Sequence, residues 1–262
     1  MRAGPVLGRF DAAGIARLLS DTGVVRALQH KGFGDMRVVV EAEGRALPHI
    51  LVLGDKGAGP VLLLDACLGE ATVRDDFFRE RGFATDQAME FAVVHWLREQ
   101  DPTVSFSRHR PALPLQHHPG LGVLRRAFRA IVRMAQELGK DGVANVPKFF
   151  HDAVIFFRSR LFLFLDGREQ GRFEKLAEAL AELPIGDASL ALVAAAVHEA
   201  GSHPVPWLPG YQVFPVSAAM TAYLHSPVYA AQVESGRREA AYVVDGAALQ
   251  RARAALKAGG GS

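Results

Sequence analysis

Between Gln116 and Arg126 the chain reads QHHPGLGVLRR, with two glycines separated by one residue just before an apolar, periodic run. A helix beginning there presents backbone N–H groups that have no intrahelical partner, and with them a partial positive charge. Such an end can hold a phosphate or diphosphate, and glycine at 120 and 122 lets the main chain approach it with no Cβ in between. The candidate contacts are His117, His118, Gly120, Leu121, Gly122 and Val123. Arg125 and Arg126 are near enough to the helix start to act as charge-assisted donors. A tight strand-to-helix turn that binds nothing satisfies the same pattern, and the later arginines, Arg129 and Arg133, suit a solvated helix face.

The bend needs a strand before it and a helix after it. Leu124, Phe128, Ile131, Ala135 and Leu138 recur at steps of four and three, which places them on one helical face, and Gly139 suits a C-terminal cap. Met89–Leu97 is almost continuously apolar, as a strand covered on both faces would be. Gly142–Val146 and Leu161–Leu165 read as strands around a helix over Lys148–Arg158. Strand, bend, helix, strand in that order requires a parallel pairing, with the helix as crossover. Upstream, Met36–Glu41, His49–Leu53 and Val61–Leu64 are short β-branched runs joined by Gly- and Pro-containing connectors, an antiparallel meander. Helices are expected over residues 11–31, capped by Asp11 and Asp21, and over 72–82. Beyond Gly167, Ala- and Leu-rich helices over Arg168–Leu183 and Asp187–Glu199 lead to a Pro-rich passage. Ala218–Leu224 and Leu249–Lys257 follow as further helices. The fold class is therefore α/β, with a mixed, largely antiparallel central sheet, one parallel crossover and a C-terminal helical extension. The expected division is 1–167 for the core, 168–258 for an extension packed on it, and 259–262 for a linker.

The bulk properties narrow the function classes. Hydrophobic residues are 49% and charged residues 22% of 262, a globular balance. A net charge of +2 gives no global reason to expect nucleic acid as partner. Cys67 is the single cysteine, which rules out an internal disulfide, and its apolar surroundings suit a buried thiol. MRAGPVLGRFDAAG lacks the apolar stretch of a signal peptide, and no window approaches the roughly 18 apolar residues of a spanning helix, so a soluble, cytoplasmic protein with no membrane partner is expected. Ten histidines raise a metal site. His117 and His118 are adjacent and His198 and His203 are five apart, however, so neither pair has zinc-helix spacing and no metal is expected. Phe149, Phe150, Phe156 and Phe157 suit either a core or an apolar channel. The stretch from Trp207 to Pro215 suits a lid, a second-subunit contact that leaves a homodimer open, or docking on the core.

The segment Gln116–Gly167 resembles the cofactor-binding half of GNAT-type N-acyltransferases. In that family a loop of the form Gln/Arg-x-x-Gly-x-Gly/Ala precedes a long helix, a strand, a second helix and a last strand. Gly120 and Gly122 match the loop glycines, and HDAVIFFRSRLF is similar to the family's Asn-x-x-Ala segment, with Ala153 in the alanine slot. The resemblance implies that the loop binds the diphosphate of coenzyme A or acyl-coenzyme A, taken as substrate, with His151 and Phe157 near the same ligand. It departs from the pattern in three places. His117 stands where Gln or Arg is usual, Phe157 stands where many members carry a thiolate-protonating tyrosine, and Leu161-Phe162 replaces Gly-Phe.

What the resemblance implies is transfer of an acyl group to an amine of a small molecule or a protein. A base would keep that amine neutral and backbone donors would polarise the thioester carbonyl. Glu90 and His95 lie on the strand where the family often places its base. Five residues apart, they face opposite ways, and apolar neighbours of Glu90 would raise its pKa. The alternative is a catalytically inactive protein of the same core that binds acyl-coenzyme A or a partner as a sensor or scaffold.

Overall fold

The computed structural model describes residues 4–42, 46–107, 112–113, 116–158, 162–199 and 203–259. They form two compact units, both discontinuous in sequence. One comprises Met1–Asp75, Asp86–Asn145 and Pro215–Met220; the other comprises Asp76–Thr85, Val146–Phe214 and Thr221–Ser262.

The first unit opens with α1 (Ala12–Asp21), capped by Asp11, whose Oδ1 accepts from the amide of Gly14 at 2.7 Å. Asp21 ends this helix and does not cap the next. That role falls to Gly23, at φ 78°, ahead of α2 (Val24–Gln29). Four strands then run as an antiparallel meander: β1 (Gly34–Glu41), β2 (His49–Asp55), β3 (Pro60–Val73) and β4 (Met89–Glu99). β3 continues nine residues past Leu64, where the sequence pattern suggests a stop. Asp65 is what makes the difference: its carboxylate accepts from His49 Nδ1 at 2.7 Å and Trp96 Nε1 at 2.9 Å, with Arg98 3.6 Å away. Its neighbours in space supply the donors that its neighbours in sequence do not.

After β4, α4 (Leu124–Glu137) carries the chain back so that β5 (Gly142–Asn145) pairs parallel to β4, from Phe91 opposite Gly142 to Val94 opposite Asn145. The α/β class, the meander and the parallel crossover are as the sequence implies. On α4 the expected stripe is buried at Phe128, Ile131 and Ala135 and half-buried at Leu124 and Leu138. Each large side chain so buried contributes about 1.5–3 kcal/mol. Gly139, at φ 65°, follows the helix in the left-handed conformation.

In the second unit, α3 (Asp75–Glu80) is followed by Arg81, which is paired to Asp166 at 2.7 Å. The division between units falls after Asn145, not after Gly167, because α5 (Phe150–Arg158) packs its apolar face into a cluster with Phe164, Phe173, Leu176 and Leu190. β6 (Leu163–Phe164) precedes α6 (Gly167–Ala179), which Asp166 caps. Leu161 of the expected strand lies outside the described residues. α7 (Ile185–Val193) stops earlier than its composition suggests, since Ala195 turns left-handed at φ 53° and the chain enters β7 (Val197–Glu199). β8 (Gln212–Pro215), paired antiparallel to β6, emerges from the Pro-rich passage.

Beyond α8 (Ala218–Leu224) come α9 (Pro227–Glu239), β9 (Tyr242–Val244), paired to β7, and α10 (Gly246–Gly259). Gly259, expected in a linker, closes α10, while 260–262 lie outside the described residues. α6 and α9 meet main chain to main chain. A Cβ on Gly171 would fall against the carbonyl oxygen of Val233, and one on Gly236 against that of Arg168. Two buried tyrosines brace the end of β6: Tyr229 donates to the Phe164 carbonyl at 2.6 Å and Tyr223 to that of Leu165 at 3.0 Å.

Candidate functional site

β4 ends at Glu99, and the chain returns to that end of the strand at the two-glycine bend. Glu99 Oε1 accepts from the amide of Gly122 at 3.0 Å, and Oε2 from that of Val123 at 2.6 Å. Gly122 sits at φ 68°, which a glycine adopts without strain. A Cβ on Gly120 would stand 3.3 Å from Glu99 Oε1, so that glycine makes room for a carboxylate. Val123 offers α4 no capping side chain, and Glu99 supplies the cap from 24 residues upstream. Leu121 and Val123 are buried and anchor the bend.

The group that the bend holds is thus a carboxylate of the chain's own. Burial pushes the Glu99 carboxyl above its ordinary value. The amides of Val123 and Gly122 and the charge of Lys31 act in the opposite sense. The amides of Gly122 and Val123, expected to be open to a ligand, are committed, and a diphosphate would reach them only with Glu99 displaced. Of the other expected contacts, His117, Arg125 and Arg126 are exposed and His118 is half-buried. The Arg126 stem rests 3.7 Å from where a Cβ on Gly23 would lie.

Glu90 is exposed, and its carboxylate meets Lys140 Nζ at 2.8 Å, which also meets Glu70 at 2.6 Å. The hydrogen bond and charge of Lys140 hold its carboxyl below the ordinary value. The upward shift expected from apolar neighbours does not occur, because strand alternation turns Met89 and Phe91 inward and Glu90 out. A carboxylate so stabilised is a weak base. His95 sits where the β3–β4 register slips, with its ring over Gly69; a Cβ there would be 2.6 Å from Nε2. Glu70, next to Gly69, shares Lys140 with Glu90, so Glu90 and His95 occupy opposite faces.

His151 and Phe157 belong to the second unit and have their partners there. His151 is buried, with Nδ1 2.8 Å from Ser189 Oγ and its ring stacked on Phe149 at 5.3 Å. Burial lowers its pKa, while the Asp152 carboxylate, 3.5 Å from Nε2, acts in the opposite sense. Phe157, half-buried, packs edge-on to Phe173 at 5.2 Å, against the core of that unit. Both side chains serve packing where the resemblance implies ligand contact.

Two residues escaped the sequence reading. Glu99 was signalled only by the missing cap at the start of α4. Asn145, at the end of β5 and opposite Val94, is buried with both side-chain amide atoms unpartnered among the described residues. Donor and acceptor left together in this way suit a ligand amide.

Among the described residues no group of three or more His, Cys, Asp or Glu side chains could hold a metal ion, and no helix is long and apolar enough to cross a membrane. No family model matches the chain, and no curated protein matches it. Solved structures similar to it include a bacterial toxin, at 10% identity over 68% of this chain and 73% of that one with a TM-score of 0.30. Another is a KacTA–DNA complex, at 11% identity over 84% and 91% with a TM-score of 0.32.

Proposed function

We propose that this chain is a binding or scaffolding protein built on an acyltransferase-like strand–bend–helix–strand core, without the transfer chemistry. The observation that carries this reading is Glu99. Its carboxylate satisfies the Gly122 and Val123 amides from within the chain, with burial and a negative charge set against any incoming diphosphate. Glu90, tied to Lys140, adds to it by lacking the raised pKa of a general base.

Transfer from acyl-coenzyme A to an amine is the second reading, and one observation favours it: the unpartnered amide of Asn145, which matches the amides of a pantetheine chain. In that reading Glu99 swings away and coenzyme A takes the bend, with Gly120, Leu121, Gly122 and Val123 supplying main-chain donors and Arg125 and Arg126 the cations.

Titration calorimetry and thermal shift with coenzyme A and acetyl-coenzyme A separate the two. Wild-type protein is expected to remain unshifted at millimolar ligand and to release no thiol with a panel of amines. Glu99→Ala, which opens the amides, is expected to gain ligand-dependent stabilisation that grows with concentration. Wild-type binding together with amine-dependent thiol release would overturn the scaffold reading.

A further inference from the structure

The second unit contains a cavity of about 420 Å³, within the range that holds small organic ligands. Its lining includes Trp207 and Tyr242, both half-buried, and Phe164 and Phe173, which are almost fully buried. The indole is fixed in place: Trp207 Nε1 donates to the Pro147 carbonyl at 3.0 Å, and its ring meets those of Phe150 and Phe173 at 5.7 and 6.3 Å. Two carboxylates, Glu169 and Glu199, line the same cavity, and neither has an ion-pair or hydrogen-bond partner for its side chain among the described residues.

The charges around them are already engaged. Arg172, which also lines the cavity, meets Glu239 at 3.2 Å, and Arg81 meets Asp166 at 2.7 Å. His203 also lines the space, and the two carboxylates are its formally charged side chains left without an ion-pair partner among the described residues. The Glu169 carboxyl is pressed against Gly210, whose lack of a side chain lets Oε2 and the Phe164 ring approach, and it is raised above its ordinary value by burial and then by Asp166. Arg81 and Arg172 act in the opposite sense. A cation entering the cavity would meet two solvent-exposed carboxylates and the half-buried rings of Trp207 and Tyr242, aromatic groups that attract positive charge, Trp best among them. A neutral apolar molecule would leave the carboxylates unserved.

We infer that this cavity is a binding site for an organic cation, an ammonium group carried on an apolar body. The site lies within one unit and does not depend on how the two-glycine bend is read.

The test uses the full chain, with choline as cationic probe and 3,3-dimethylbutan-1-ol, its uncharged isostere, as control, both followed by calorimetry. Choline is expected to bind saturably, and the isostere at least about tenfold more weakly, since ring faces and carboxylates both act on the charge. Glu169→Gln, on the cavity rim, is expected to weaken choline severalfold with its melting temperature preserved. Trp207→Leu is expected to abolish binding. Should that variant unfold, Glu169→Gln and the isostere still decide the matter. Equal affinity for the two probes, no saturation at millimolar choline, or an unchanged affinity in Glu169→Gln would overturn the inference.

Discussion

At the bend of the first unit, Glu99 gives each carboxylate oxygen a main-chain amide, at 3.0 and 2.6 Å. At the cavity of the second, Glu169 and Glu199 stand beside four aromatic rings with no ionic partner among the described residues. Burial raises the pKa of both Glu99 and Glu169, so that shift alone does not tell a structural carboxylate from a recognition carboxylate. What separates them is whether the fold completes the pair. Glu99 ends a strand and caps a helix, a closed arrangement. Glu169 faces space that the chain leaves unfilled.

The comparison can be broken most forcefully through the cavity wall. Gly171→Ala places a methyl against the Val233 carbonyl and the Arg237 amide, and α6, which carries Glu169, Arg172, Phe173 and Leu176, cannot keep its place against α9. The expected loss is about 3 kcal/mol. Denaturant unfolding measures it, and choline affinity should fall with it. A variant as stable as wild type would contradict the close helix contact.

Glu99→Ala is the next step down. It strips α4 of its cap and leaves two amides unpaired, for an expected loss of about 1–2 kcal/mol, and inorganic sulfate should restore part of it by refilling the bend. A loss that sulfate leaves unchanged would show that the bend is no general anion site.

The smallest effect sharpens the contrast through pH. Glu99, raised by burial above its ordinary 4.5, gives a contribution that is fully present below that value and lost as pH rises through the folded pKa. Glu90, lowered by Lys140, gives one that is present above 4.5 and lost as pH falls through its folded pKa. Between about pH 3 and pH 7, the stability of wild type relative to Glu99→Gln should therefore decline with rising pH, while that relative to Glu90→Gln should grow. Parallel slopes would contradict the two environments.

Local pattern carried much of the first unit. The step of four and three in α4, the apolar run of β4 and the glycine stop at Gly139 are features of near neighbours in sequence, and the structure repeats them. The two-glycine turn into α4 was legible for the same reason. Its occupant was not, because Glu99 lies 23 and 24 residues from the amides it serves. Asp65 follows the same logic: as an isolated residue it reads as a strand breaker, and only His49 and Trp96 from adjacent strands make it tolerable. In the second unit, α9 and β9 escaped notice. The apolar contact of α9 is made by glycines at Gly171 and Gly236, and a glycine in a helix reads as a defect until its partner is known. The aromatic cavity likewise draws Phe164, Phe173, Trp207 and Tyr242 from four separate stretches of chain.

The facing glycines of α6 and α9 also bear on which guests the cavity can admit. Main-chain atoms in direct abutment leave no lubricating layer of side chains, so α6 cannot yield toward α9 to make room for a bulkier visitor. Girth, and not only charge, then becomes a criterion of entry. A homologous series of tetraalkylammonium ions should show an abrupt cutoff in size where a pliable cleft would give a gradual decline.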